Sequence, residues 1–585
     1  MQDIKDAWRA RVAAALDALA GTAGAGAVAP EQVIVEVPPK PELGDLGFPM
    51  FAFAKTLRKG PPVIAQAVAA ALAVDPLAAA IGEAKAEGPY VNVRIAKGAV
   101  AAKVLADALD PASAFGRPGT LAGKRIMVEF SSPNTNKPLH LGHLRNDVLG
   151  ESISRILAAC GAEIKKVCII NDRGVHICKS MLAYQKFGDG RTPESEGVKS
   201  DRFVGDMYVR FHQWSKDDPT AEAQAQELLR KWEDGDPETT ALWKKMNGWA
   251  VSGMKKTYER TGVSFDKYYF ESETYLKGKE EVFKGLEKGV FYKEEDGSVW
   301  IDLTDEGLDK KVLLRKDGTA LYMTQDIGTA IFRHRDWPFD RLVYVVGSEQ
   351  QYHFKVLFRV LEKLGFEWAT ALYHLSYGMV NLPEGKMKSR EGTVVDADDL
   401  IDKLRDLALE EIREKGREEA VGDPQAIAER IALGALHYFL LQVSSSKDML
   451  FDPKESLSFN GNTGPYLQYM GARISSMLSK ESGSAAAKGS VVPQLLSGDA
   501  EWDLVKTISA YPAAVAGAAE RMDPAALTAY LYDLSKAFSR FYHDCPILNA
   551  DHPDLAATRL ALSKAALKVF RDAFSLVCIP FLETM

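Results

Sequence analysis

The chain has 585 residues, too many for one hydrophobic core, so about three or four domains are expected. With 46% hydrophobic and 26% charged residues it is an ordinary folded protein, which excludes a disordered or fibrous chain. A formal net charge of −8 argues against a nonspecific polyanion binder and leaves any nucleic-acid contact to local basic patches.

In chain order, Met1 to Asp6 lacks the apolar core of a signal peptide. Ala-rich periodicity predicts helices over Trp8–Leu19 and Pro62–Leu72, with strands at Val33–Val37 and Tyr90–Arg94. These make a small α+β domain over residues 1–112. The stretch from Pro61 to Val74 is too short and too weakly apolar to span a bilayer, and no membrane partner is expected. Ala112 to Gly123, rich in Pro, Gly and Ser, reads as a linker. A strand follows at Arg125–Phe130, where Ile126, Val128 and Phe130 alternate with Arg125, Met127 and Glu129. Leu144, Val148, Ile153, Ile156 and Leu157 recur at helical spacing until Gly161, and Val167–Ile170 supplies a second strand. A polar, mainly helical stretch over about 181–300 then interrupts the pattern. The α/β order resumes with a strand at Ala320–Thr324, a helix from Asp326, a strand at Leu342–Val346, a helix at Phe354–Leu364 and a strand at Tyr373–Tyr377. From Asp398 the pattern is helical, with a flexible loop expected over 482–500. The fold class is therefore α/β and multidomain: a split Rossmann-like parallel sheet over 113–425, between the N-terminal α+β domain and an all-α domain over 426–585. The five cysteines form no zinc-like spacing and read as buried, reduced thiols of a cytoplasmic protein.

His140-Leu141-Gly142-His143 sits where the first strand turns into its helix, the place where such folds bind nucleotides. A helix N-terminus offers unpaired N–H groups and partial positive charge to phosphate oxygens. Two imidazoles add donors, and Gly142 lets a base or ribose lie against the backbone. A second motif, Gly385-Lys386-Met387-Lys388-Ser389-Arg390-Glu391-Gly392, follows the last strand. Three cations within five residues could close over a pyrophosphate leaving group. Taken alone, such a run is as readily a solvated basic hairpin.

On these two motifs the chain resembles the class I aminoacyl-tRNA synthetases, with their HIGH and KMSKS signatures, and within them the arginyl-tRNA synthetases. The resemblance spans nearly the whole chain. It rests on Glu129 to Asn134 running through Lys137-Pro138 into His140 to Arg145, on Leu313 to Asp326, on Gly347 to Phe354, and on Gly461 to Tyr469 after Phe451-Asp452-Pro453. Asp45 to Pro49 is similar to that family's additional N-terminal domain, which would contact the tRNA elbow.

The resemblance implies arginine–tRNA ligation, with ATP (as its magnesium complex), L-arginine and the arginine tRNA as substrates, no protein-bound metal, and a monomer. His140 and His143 would hold ATP phosphates and Gly142 the adenosine, with Tyr377, Met379 and Val380 lining the adenine. In the second motif the usual second lysine is replaced by Ser389, beside Lys386. Arginyl enzymes with such departures imply Lys137 as the substitute, while Lys388 or Arg390 could compensate instead. Glu129, Asp326 and the Tyr322 hydroxyl would serve the substrate guanidinium. Ser132, Asn134, His143 and Gln350 would hold the rest of the amino acid. A guanidinium stays charged and presents five donors in one plane, so a pocket must meet it with carboxylate. Spacing alone favours plainer roles: Glu129 an outward strand residue, Asp326 a helix cap, Tyr322 a core aromatic. The helical C-terminal domain would read the anticodon through Tyr466, Tyr469 and Arg473, placed on one helix face. Three rivals remain at this level: a class I synthetase for another amino acid, an H-x-G-H nucleotidyltransferase, and a non-catalytic tRNA-binding paralogue.

Overall fold

The computed structural model describes residues 2–22, 26–275, 277–381, 383, 395–416, 422–482, 484–548 and 550–585. Its N-terminal helix, Gln2–Thr22, buries Trp8, Val12 and Leu16. It belongs with a three-stranded antiparallel sheet of Leu46–Pro49, Tyr90–Ile95 and Gly82–Glu87, in that spatial order. The strand expected at Val33–Val37 reduces to one bridge, Glu36 to Gly47, and leaves Ile34 and Val37 exposed. Pro38 and Pro39 follow immediately and cannot donate to a ladder, so Leu46–Pro49 takes the edge instead.

The central sheet is wholly parallel. Its elements are β1 (Arg125–Glu129), α1 (Leu141–Ala159), β2 (Glu163–Ile170), β3 (Lys267–Phe270), α2 (Tyr322–Asp336), β4 (Arg341–Gly347), α3 (Gln351–Lys363) and β5 (Leu372–Tyr377). Strand order is β5-β4-β1-β2-β3. In β1, Met127 and Glu129 are buried along with Ile126 and Val128, so both faces are covered and the apparent alternation does not mark a wet side. One face packs on α1 and, through it, joins a core continuous with the N- and C-terminal domains. The other face carries Met127, Val167, Tyr269, Leu342 and Tyr344 against α2 and α3. A Cβ on Gly150 of α1 would lie 2.2 Å from the Phe130 ring, so the helix sits close on the strand end only because that residue is glycine.

Two sequence expectations differ here. The stretch read as a helical insertion contains β3, the parallel edge strand of the sheet, after four helices that end at Thr261. Its short, Lys- and Tyr-bearing run suits an exposed edge and lacks the apolar signature of an inner strand. The strand expected at Ala320–Thr324 is a single bridge from Ala320 to Leu314, and Tyr322 already opens α2. A tight turn, with Arg315 N–H donating to Thr319 O at 3.0 Å, closes that hairpin too early for a strand.

The C-terminal region is built from helices between Ala397 and Leu576. Met449–Leu450 stitches it to Val380–Asn381 in a two-residue parallel ladder. The linker docks on the last long helix, where Arg117 forks onto Asp572 and Tyr511 donates to the same carboxylate. All five cysteines are free and buried. Burial raises every one of their thiol pKa values. No helix of the described residues is long and apolar enough to cross a membrane.

Candidate active site

The start of α1 is an interlocked cap made by the two histidines. His140 has extended backbone, and its Nδ1 accepts from Gly142 N–H at 3.1 Å. His143 Nδ1 accepts from the backbone N–H of His140, also at 3.1 Å, and the rings stand 3.9 Å apart. The helix therefore begins at Leu141, three residues before its apolar pattern. Because caps are normally Ser, Thr, Asp or Asn, the sequence did not announce it. A Cβ on Gly142 would press on the His140 ring at 3.0 Å, which gives this glycine a job inside the cap itself.

With both Nδ1 atoms accepting, a neutral ring carries its proton on Nε2, which leaves two N–H donors for a ligand. Burial, and then Lys137, push His140 down to about 3. Burial, His140 and Lys137 push His143 well below the usual range. Burial also lowers Lys137. This is a desolvated site that favours an arriving polyanion.

Lys137, Pro138, Leu139 and His140 line a crevice of about 250 Å³ with Arg202, Asp206 and Tyr208 of the helix Ser200–Trp214. Asp396 and Asp399 complete it. His140 and Asp396 form an antiparallel bridge, and Ala397 N–H donates to Leu139 O at 2.9 Å. The chain beyond the second motif is thus tied to the first. Burial raises the Asp396 carboxyl to about 6 while it caps the next helix through Asp398 N–H. Lys386, Lys388, Ser389 and Arg390 lie outside the described residues.

Tyr377 ends β5 beside the N-terminal half of α1. Its hydroxyl accepts from Asn146 Nδ2 at 3.1 Å, and that amide also reaches Val345 O at 2.8 Å. Met379 is half-exposed and Val380 buried. Beneath them Arg145, 1% exposed, donates to four carbonyls: Gly378 at 2.6 Å, Met379 at 3.0 Å, Ser445 at 3.2 Å and Lys447 at 2.7 Å. This residue entered the sequence reading only as part of a motif string, and nothing local marks it as a hub.

On the other side of β1, Glu129 is buried and receives Ser132 Oγ at 3.3 Å. Ser131 and Ser132 both have positive φ, 70° and 49°, a left-handed pair of non-glycine residues where the chain leaves the strand. Glu129 is ion-paired to Arg333 of α2. Burial raises its carboxyl, Arg333 opposes the rise, and Asp326 adds to it, so the two acids feel each other. Asp326 Oδ2 meets His353 Nε2 of α3 at 2.6 Å. Glu271, raised by burial to about 7, also feels Asp326 and faces Arg173. Tyr322 lies one helical turn before Asp326 but is 74% exposed, and Gln350 is exposed just beyond β4. Asn134 forms a parallel bridge with Asn171 at the mouth of the sheet. The fold thus brings Glu129, Ser132 and Asp326 together and leaves Tyr322 and Gln350 at the rim. Arg333 and His353 were missed, since each lies in an amphipathic helix among other basic residues. Among the described residues no group of three His, Cys, Asp or Glu side chains could hold a metal ion.

In the C-terminal domain the expected shared face divides. Tyr466 lies 6.2 Å from the Tyr532 ring and Arg473 sits 4.2 Å over Tyr542, both against the helix Ala525–Asp544. Tyr469 instead lines a pocket of about 280 Å³ with Lys415, Phe459, Asn460 and Met585. Positions 466 and 473 are seven apart and nearly eclipsed, while 469 is rotated off by about 60°.

Three family models match the chain. They are the class I (R) tRNA synthetase catalytic domain over residues 112–452, the DALR anticodon binding domain over 467–585, and the arginyl tRNA synthetase N terminal domain over 6–95. The arginine–tRNA ligase of Treponema denticola is 63% identical over the full length of both chains. That of Treponema pallidum is 59% identical, again over all of both. Among solved structures, the Thermus thermophilus arginyl-tRNA synthetase superposes with a TM-score of 0.80 at 26% identity, covering 99% of this chain and 100% of the other.

Proposed function

The chain belongs to the class I arginyl-tRNA synthetases, the ATP-dependent arginine–tRNA ligases, and from that premise we propose how its residues divide the work. ATP, entering with magnesium as part of the substrate, lays its phosphates against the start of α1. There the two Nε2–H groups and the helix amides meet developing charge. Lys137, Lys386 and Lys388 add cations on the pyrophosphate side, and Tyr377, Met379 and Val380 border the adenine. The substrate guanidinium enters between Glu129 and Asp326, with Tyr322 closing from the rim and Asn134 and Gln350 holding the amino-acid end. A carboxylate oxygen of arginine attacks the α-phosphorus in line as the bond to pyrophosphate breaks. The 2′-hydroxyl of the terminal ribose then attacks the mixed anhydride, transferring arginine and releasing AMP. No protein nucleophile takes part, and positioning with electrostatic stabilisation carries the rate. Tyr466, Tyr469 and Arg473 offer stacking faces and charge to unstacked anticodon bases. The chain acts as a monomer in the cytoplasm and activates arginine only with tRNA bound.

The observation that carries this reading is the interlocked histidine cap at the C-terminal end of β1, next to a buried acid. Two acids matched to a planar cation would reject lysine by roughly 10⁴-fold, because unmatched polar groups would stay unpaired. Charging of bulk tRNA with each radiolabelled amino acid, at fixed salt, tests it. Arginine alone should be incorporated, and incorporation of lysine at a comparable rate would defeat the pocket assignment. Arginine-dependent ATP–pyrophosphate exchange at full rate without tRNA would defeat the ordering.

A further inference from the structure

Arg333 is a fully buried cation that the reaction above leaves unused. Its side chain is 1% exposed and that of Glu129 is 7% exposed. The guanidinium lies 5.0 Å from the ring of Tyr269 on β3 and 5.9 Å from that of Tyr344 on β4. Tyr344 is also the register partner of Glu129 across the sheet. The Tyr344 hydroxyl is buried beside the Arg333 guanidinium, and Glu129 is the one acid in direct contact with that guanidinium among the described residues. An isolated ion pair held this way is poor ground for stability, since apolar side chains of similar volume commonly do as well or better. The pair is therefore better examined for what it does to the pocket than for what it adds to the fold.

The use follows from where it points. Arg333 lies two turns from Asp326 on the same face of α2, so one helix supplies both the second pocket acid and the cation on the first. Glu129 and Asp326 together would present two negative charges to a substrate side chain carrying one positive charge. We propose that Arg333 is a specificity-determining positioning residue: a resident guanidinium that holds Glu129 ionised and oriented, so that the pocket presents one net negative charge and one shared carboxylate to the guanidinium of the substrate. This rests on Glu129 and Asp326 being the arginine pocket. The groups facing Glu129 are Arg333 and Asp326 from α2, Tyr344 from β4, Tyr269 from β3, Cys168 from β2 and Ser132 from its own strand end. Only Arg333 among them is a cation. Burial and Asp326 push the Glu129 carboxyl up, and Arg333 opposes them. Without Arg333 no cation would oppose that rise, and a protonated carboxyl would turn from acceptor to donor, the wrong sense for a guanidinium.

The test is steady-state aminoacylation by the full chain across pH 6–9, with KM measured for arginine and for ATP. Glu129→Gln comes first, and an unchanged arginine KM there would fail the pocket assignment itself. If that variant is impaired, Arg333→Met is expected to raise the arginine KM about tenfold or more at pH 7, with ATP KM within about twofold. Its acidic limb should move up by about one pH unit or more, with recovery toward pH 9. In the Glu129→Gln background the same change should add less than about twofold, since the carboxylate it acts through is gone. An equal effect in both backgrounds, or a parallel rise in both KM values, would reduce Arg333 to a structural role and overturn the inference. Should Arg333→Met not fold, Arg333→Lys keeps the charge without the fork. A small rise in arginine KM alone, with an unmoved pH profile, supports the inference, and an unchanged arginine KM or a parallel rise sinks it.

Discussion

The two halves of the proposed active site, one for phosphate and one for guanidinium, are built by opposite strategies. The phosphate side is local: His140, Gly142 and His143 bond one another within four consecutive residues, and the helix behind them supplies the field. The guanidinium side is assembled from a strand end, two helices and neighbouring strands, and its acids are already engaged by Arg333 and His353 before any substrate arrives. A local site is fixed by backbone geometry and resists single substitutions elsewhere. A composite site depends on charge balance among residues hundreds of positions apart, so it should fail selectively and with pH.

The largest expected effect lies under the local half. Arg145→Met would leave four carbonyls without their shared, buried donor and should cost about 3 kcal/mol of stability, read from urea midpoints. A loss below about 1 kcal/mol would mean the hub is not holding the adenine-side loops. Next, His143→Ala should lower tRNA-dependent ATP–pyrophosphate exchange by roughly 10²-fold, with a much smaller rise in arginine KM. If arginine KM rose as much as the rate fell, the two halves would not be separable. Asp326→Asn should do the reverse, raising arginine KM about 30-fold or more at constant ATP KM.

A further effect concerns pH. Asp147, fully buried on α1, is raised by burial to about 8, with Ser131 opposing the rise and Glu151 adding to it. The unfolded chain ionises this group near pH 4, the folded one only near 8, so its contribution is present below 4 and lost as pH rises toward 8. Asp147→Asn should flatten the fall of Tm between pH 5 and 8 and be the more stable form at pH 8. A wild-type slope in the variant would refute the burial argument.

What could be read from sequence follows the same division. The βαβ order, the helix–strand succession from Asp326 to Tyr377 and the family strings were legible because each is a contiguous pattern, while the strand expected at Ala320–Thr324 was not there. The edge strand β3 was not, since four polar helices precede it and Lys267-Tyr268-Tyr269-Phe270 has no inner-strand apolar run. Glu129 and Asp326 were named through resemblance, yet their resident partners were not, because nothing in α2 distinguishes Arg333 from His334 or Arg335 beside it. Tyr466 and Tyr469 were grouped by spacing, and the structure parts them because neighbouring helices claim different sides of their helix.

The five sheltered thiols also make the protein its own reporter. A thiol-specific reagent should find essentially nothing to modify in the native state, so each modification counts an opening event. Cys168 lies in the central sheet and Cys578 behind the last long helix, so mapping which is tagged first would tell whether catalytic or tRNA-reading halves let go earlier, without introducing a label.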